Sequence, residues 1–359
     1  MQLLREHQVA AQGQQGALSD AEKACRPDDE TRTICMDLQQ ILPCPKLNNQ
    51  KAYYKKKISL YNFCVYDLNL KKANCFLWDE TTAQKGSNEI NSCLYKWFQE
   101  NKDAGFRHLR IFADNCVGQN KNLYVVLNCM RLVQSGELDT VTIEFMVAGH
   151  SFLPCDRTFG NIEKKVKKRS IVNCPDEYAE IIRTSTEGGV NVFRMSSRDF
   201  FNFKDLKKLV KERKPLDFNF TDGRTFKISR ENHWSYVVSC RKGVETVSLE
   251  PVRPPIKQKG KKPTQRRKAA APPLLGDKQL ESAYLFVLTV DPSKIAHIQQ
   301  LRKYLEPIGR QWVDALAESQ IYAQQVEADQ EQLADLGDPE LTQDQDLLCE
   351  CTVPAPSTP

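Results

Sequence analysis

The sequence predicts an α/β protein in which a mixed sheet is flanked by helices, and three observations carry that expectation. Between residues 57 and 170, short β-branched and aromatic runs alternate with stretches whose apolar residues recur every three or four positions. Two of the β-type runs follow one another directly, as a hairpin requires. Over 359 residues, an apolar content of 40% is enough for a core even though both ends are polar.

Residues 1–50 are polar and Gln-rich, and read as a tail or the remnant of an upstream region, with a helix suggested only near 19–24. The runs 58–68 and 73–78 read as two strands joined by 69–72. Ser87 suits an N-cap, and Ile90, Cys93, Leu94, Trp97 and Phe98 give one apolar face to a helix that stops before Gly105. A short buried strand follows at 109–113, then an amphipathic helix at 123–133 halted by Ser135 and Gly136, then a β-branched strand at 140–148. A turn over 150–156 leads into a basic helix ending near Arg169. The order resembles a ribonuclease H-like core, placed at 51–175, in which the third strand is missing or displaced.

Residues 176–250 read as a small accessory α+β module. It has a helix over 199–213, with Phe200, Phe203, Leu206 and Leu209 spaced for burial, and short strands near 218–220, 225–228, 234–240 and 246–249. A basic, Pro-rich linker spans 251–282, a strand and a long helix fill 283–336, and 337–359 is an acidic to polar tail expected to be disordered.

The formal charge of +5 conceals a segregation, since 257–268 reads KQKGKKPTQRRK while 327–350 is dominated by Asp, Glu and Gln. The basic tract suits nuclear import or nonspecific nucleic-acid contact, and the acidic tail suits a protein partner. Thirteen cysteines accompany a start that lacks the basic and apolar regions of a signal peptide, so the thiols are expected reduced and the protein nuclear or otherwise cytoplasmic, not secreted. No apolar run approaches the roughly 18 residues of a membrane span. Zinc-type cysteine pairs, a Walker loop, a dinucleotide fingerprint, H-E-x-x-H and G-x-S-x-G are all absent, which argues against a nucleotide cofactor and against those enzyme classes.

What remains is a set of acids at element ends. Asp67 closes the apolar run 60–66, Asp114 closes the strand at 109–113, and Asp156 opens the basic helix that also carries Glu163. Phosphoryl transfer requires charge neutralisation on the entering and leaving oxygens, which two Mg²⁺ ions about 4 Å apart supply, and hard ions call for carboxylates. Asp67, Asp114 and Asp156 are therefore the candidate ligands of Mg²⁺ or Mn²⁺. Asp79 or Glu80 could stand in for Asp67. Glu163 lies two helical turns, about 10 Å, beyond Asp156, so only one of them can ligate directly, and Asp156 is nearer the turn. His150 is placed to carry a proton. Each acid also has a plain reading as a turn or cap residue. Asn115, Gln119, Asn120 and Lys121 cluster at a helix start, and Arg157, Lys164, Lys165 and Lys168 form a cationic surface, both suited to a nucleic-acid backbone.

Two motifs, D-N-C-x-G-Q-N-K-N at 114–122 and G-H-S-F-x-P-x-D-R-x-F-G-x-I-E-K at 149–164, resemble those of animal proteins derived from transposable elements, relatives of cut-and-paste DDE transposases. The runs S-L-Y-N-F-C-V-Y-D-L at 59–68 and G-S-N-E-I-N-S-C-L at 86–94 match the same group, and the resemblance covers roughly 35–215. It implies a ribonuclease H-like core and metal-dependent cleavage or strand transfer on DNA, with Asp67, Asp114 and Asp156 or Glu163 as the acidic set. RNA as substrate and a homo-oligomeric state are compatible with it. The lack of a recognisable upstream zinc finger or helix-turn-helix points to a fragment, a relic or a domesticated gene. The alternative is a catalytically inactive nucleic-acid- or protein-binding protein.

Overall fold

The computed structural model describes residues 2–147, 149, 151–215, 218–240, 243–252 and 274–335. In its first half, helices α1 (Gln2–Ala24), α2 (Gln50–Tyr53), α3 (Ser87–Asn101) and α4 (Leu123–Gln134) are interspersed among seven strands. These are β1 (Thr31–Leu38), β2 (Leu42–Cys44), β3 (Lys46–Leu47), β4 (Ile58–Asp67), β5 (Lys72–Asp79), β6 (His108–Ala113) and β7 (Thr140–Phe145). The second half adds helices α5 (Pro154–Lys168), α6 (Pro175–Arg183), α7 (Pro292–Leu301) and α8 (Pro307–Asp335). Its strands are β8 (Ile171–Val172), β9 (Asn191–Arg194), β10 (Val210–Arg213), β11 (Thr225–Ser229), β12 (Ser235–Cys240) and β13 (Gly243–Pro251).

The main sheet runs β10-β13-β12-β11-β7-β6-β1-β4-β5-β9, so the fold is mixed α/β. β1 is an inner strand, parallel to β6 and antiparallel to β4, and β6 is in turn parallel to β7. Alternation along the central strands feeds two cores. Ile34, Met36, Phe63 and Val65 face α3 and α4, while Cys35, Cys64 and Cys75 face α5 and α6. The small thiols let α5 sit close to the sheet, where Cys155 Sγ donates to the carbonyls of Cys35 and Cys64 at 3.4 and 3.6 Å.

The hairpin of β4 and β5 forms as the sequence predicts. Asp67 pairs with Lys72, Asp67 Oδ1 accepts from Leu70 N at 3.0 Å, and Lys71 takes a left-handed φ of 53°. Helix α4 starts where Asn122 accepts from Val125 N at 3.2 Å.

Five expectations are corrected. Residues 2–24 form a helix, and 31–38 form an inner strand of the sheet between β6 and β4, so 1–50 is not a tail. The span 176–250 does not stand apart from the core, since β11 pairs with β7 and continues the sheet. Within it, 199–213 is not a helix: 3-10 turns bury Phe203 and Leu206 before the chain extends into β10, because a three-residue turn serves an i, i+3 pattern as well as an α-helix does. Residues 283–290 form no strand, and the helix expected over 292–336 is interrupted before Pro307, the residue preceding a proline being disfavoured in helical conformation. The tract 257–268 and the tail 337–359 lie outside the described residues.

No helix among the described residues is long and apolar enough to cross a membrane. α7 and α8 close a third, smaller core with Leu47, Ala52 and Ile58.

Candidate functional site

β1 and β6 are parallel with Met36 opposite Ala113, which sets Asp37 beside Asp114, one position further along each strand. Neighbouring strands are about 4.8 Å apart, so the two carboxylates leave the same end of the sheet side by side. Asp37 Oδ1 accepts from Leu38 N at 2.8 Å. Burial pushes the Asp37 carboxyl up to about 7, the charges of Asp114 and Asp156 push the same way, and the Leu38 N–H opposes them. Asp114 is anchored through one oxygen. Its Oδ1 accepts from Asn120 Nδ2 and from Cys116 N at 3.3 Å, leaving Oδ2 for the site. Burial raises the Asp114 carboxyl as well, against the Asn120 and Cys116 donors and with the help of Asp156.

Asp156 arrives from the other side. It is the third residue of α5, exposed, with Oδ2 accepting from Leu153 N at 2.8 Å, and the Cys155 thiol next to it is fixed on the carbonyl of Cys35, two residues before Asp37. A strand end, a loop and a helix start thus each bring a carboxylate to this end of the sheet, and the charge of Asp156 adds to the rise at Asp37 and Asp114. Asn115 and Asn120 each hold a buried Oδ1 without a partner beside them. Among the described residues, no group of three or more His, Cys, Asp or Glu side chains lies close enough together to hold a metal ion.

Asp67 is not part of this arrangement. It lies opposite Ile34, whereas Asp37 lies opposite Cys64, a separation of three residues or about 10 Å toward the other end of the sheet. There its carboxylate is 1% exposed and faces Arg32 Nη1 at 3.5 Å; burial raises its pKa in spite of the Leu70 N–H and the Arg32 charge. The substitutes weighed for it are also committed, Asp79 to Thr81 at 2.5 Å and Glu80 to Lys294. The acid beside Asp114 is Asp37, and the signal that could have found it is an acid near the end of a run, Thr-Ile-Cys-Met-Asp, that mirrors Ile-Phe-Ala-Asp before Asn115.

Glu163 is half-exposed two turns along α5, with Lys167 at 3.8 Å, and it is Asp156 whose charge acts on Asp37 and Asp114. His150 lies outside the described residues. Among the expected nucleic-acid contacts, Lys121 is a correction: it is buried, Nζ donates to Thr221 O at 2.6 Å, and burial lowers its pKa to about 8. Asn120 is fully buried on Asp114, and Asn115 and Gln119 are half-buried. Arg157 pairs with Glu22 of α1 and Lys165 donates to Thr184 O, while Lys164 and Lys168 are exposed.

Helix α1 reaches the same end of the sheet. Gln14 Nε2 donates to Phe145 O at 2.9 Å, and Gln14 Oε1 accepts from Val147 N at 2.8 Å. Together with Glu22 on Arg157, this ties α1 across the strand ends beside the acids.

A family model described as "Domain of unknown function (DUF7869)" matches residues 63–245, a span that contains Asp114 and Asp156 and begins after β1. No curated protein and no solved structure matches the chain. With just over half of its length inside the matched span, the chain belongs to the DUF7869 family.

Proposed function

We propose that the chain has a ribonuclease H-like, transposase-derived core that cleaves or transfers phosphodiester strands of DNA, with Asp37, Asp114 and Asp156 as the acids that hold Mg²⁺ or Mn²⁺. The observation that carries this reading is the run β5-β4-β1-β6-β7, in which the middle strand and its parallel neighbour end in adjacent acids and a helix brings the third. The donor set fits a hard cation, being carboxylate oxygen with two partnerless amide oxygens, Asn115 Oδ1 and Asn120 Oδ1, alongside. Divalent ions, when bound, neutralise charge on the entering and leaving oxygens of an in-line displacement. The chain's own part is to hold those oxygens still: Asn120 and Cys116 fix Asp114, Leu38 N–H fixes Asp37, and Leu153 N–H fixes Asp156.

The test is Mn²⁺-dependent nicking of plasmid and oligonucleotide DNA by the wild type and by Asp37→Asn, Asp114→Asn and Asp67→Asn. The first two substitutions are expected to abolish nicking, while folded Asp67→Asn keeps it. Nicking that survives Asp37→Asn rejects the assignment. A second reading, a nucleic-acid- or protein-binding protein without catalysis, draws on α1, which lies tied beside the acids by Gln14 and Glu22. Wild type that binds DNA and never cuts it, with α1 present or removed, favours that reading. The basic tract 257–268 is proposed as the signal for nuclear import.

A further inference from the structure

The segment between β3 and β4 presents two aromatic rings to solvent in a setting rich in lysine. Tyr53 and Tyr54 are 80% and 81% exposed, with ring centroids 5.1 Å apart and planes at 85°. Water contact over a whole phenol ring gives up the burial that normally holds an aromatic residue in place. Here the backbone beneath is nonetheless firmly held. Ala52 is fully buried against the α7–α8 core, Asn48 N donates to Ser170 O at 3.1 Å, and Lys56 is fastened to Asp291 and Ser293 at 2.6 and 2.8 Å. Two aromatic side chains thus face outward from a fixed support, each with its own ring face open.

The segment itself carries Lys51, Lys55, Lys56 and Lys57 and no acid, and Asp291 is taken up by Lys56. Lys51 is exposed and Lys55 half-exposed, and neither pairs with a carboxylate among the described residues. A cavity of about 540 Å³ opens beside Tyr53, lined by Asn48, Asn49, Gln50 and Lys57 over Leu47. The segment also abuts the basic end of α5, because β3 pairs with β8 and Lys46 Nζ donates to Arg169 O. From Asp156 to Lys168 the helix covers about 20 Å, with Lys164, Lys167, Lys168 and Arg169 exposed along its far half. A phosphate chain that leaves the acids along α5 meets positive charge and then the two tyrosines.

We infer that residues 48–57 are a binding platform for single-stranded nucleic acid, in which unpaired bases stack on Tyr53 and Tyr54 while Lys51 and Lys55 contact phosphates. The inference rests on reading the chain as a nucleic-acid-processing protein. It adds a second site, remote from the acids, and a preference for unpaired over paired strands, since a duplex keeps its base faces covered.

The experiment is fluorescence anisotropy of a labelled oligothymidylate, and of a duplex of equal length, in EDTA so that strand chemistry is silent. Tyr53→Ala and Tyr54→Ala are each expected to weaken single-strand binding by about fivefold or more, and duplex binding much less. Tyr53→Phe and Tyr54→Phe keep wild-type affinity, and Lys51→Gln lowers the salt slope by about 0.7. The rings are exposed, so thermal melting of these variants should match the wild type. Wild-type affinity in the double alanine variant overturns the inference, as does equal loss on duplex and single strand, or no binding of the oligothymidylate by the wild type. Asp37→Asn should leave this binding intact, so failure of the cleavage reading and failure of the platform are separately visible.

Discussion

The thiol of Cys155 donates to the backbone carbonyl of Cys35 at 3.4 Å, and each cysteine lies within two residues of an acid at the site, Asp156 and Asp37. This contact sets the height of α5 above the sheet. Replacing Cys155 with Phe overfills a spot where both cysteines are fully buried, which is expected to cost about 1–3 kcal/mol and to lift the helix bearing Asp156. Chemical denaturation measures the first effect. For the second, loss of Mn²⁺-induced thermal stabilisation is the readout; full retention of that stabilisation would show that the helix height does not matter to the acids.

Asp67 and Arg32 are a different kind of pair, buried at 1% and 3% side-chain exposure and remote from the other acids. Removing one member of a buried pair strands the other, so Asp67→Ala is expected to lose about 3–5 kcal/mol. If Asp67→Ala unfolds at the wild-type denaturant midpoint, the pair contributes nothing and another explanation is needed for two charges inside the sheet.

Lys121 supplies a pH signature. Its folded pKa is lowered to about 8, first by burial and further by Arg224, with Asp222 opposing, whereas an unfolded lysine titrates near 10.4. Between those values the unfolded chain binds the extra proton, so this residue's contribution to stability rises as pH climbs from about 8 to about 10. Below pH 8 both states are charged and the contribution is flat. Lys121→Met should remove that rise from a series of melting curves while leaving the salt dependence of DNA binding unchanged; a lower salt slope would return Lys121 to the nucleic-acid contacts.

Gly276 sits where an added Cβ would come within 2.7 Å of Ser135 N and 3.0 Å of Ser135 Cα, backbone at the end of α4. Neither atom can swing aside. Gly276→Ala is expected to destabilise by about 1–3 kcal/mol, measured by urea unfolding, and to loosen residues 274–282 from the core. An unchanged midpoint would mean that this stretch contributes no packing energy.

Much of the fold could be read from the chain because its periods are strong. The hairpin of β4 and β5 and the helices α3, α4 and α5 carry apolar residues at the spacing their geometry needs, with Asn122 or a turn at their ends. β1 escaped because Arg32 and Asp37 interrupt its apolar run, and what makes Arg32 acceptable inside a sheet is Asp67, 35 positions later. Once β1 was unread, its acid was unread too, and Asp67 looked like the missing member merely by ending the next strand. The apolar spacing at Phe200, Phe203 and Leu206 misled for another reason: it is common to an α-helix and to the 3-10 turns found there. Lys121 reads as a surface cation until β11 and the Thr221 carbonyl are seen to close over it.

The span matched by the family and the folding unit do not coincide. A piece of chain cut at residues 63 and 245 would keep β6 and half of β4 and discard the strand lying between them. Both would then present raw edges with unanswered N–H and C=O groups where β1 had been, a template for pairing with other copies. The matched span expressed alone is therefore expected to self-associate, and restoring residues 31–38 is expected to close those edges.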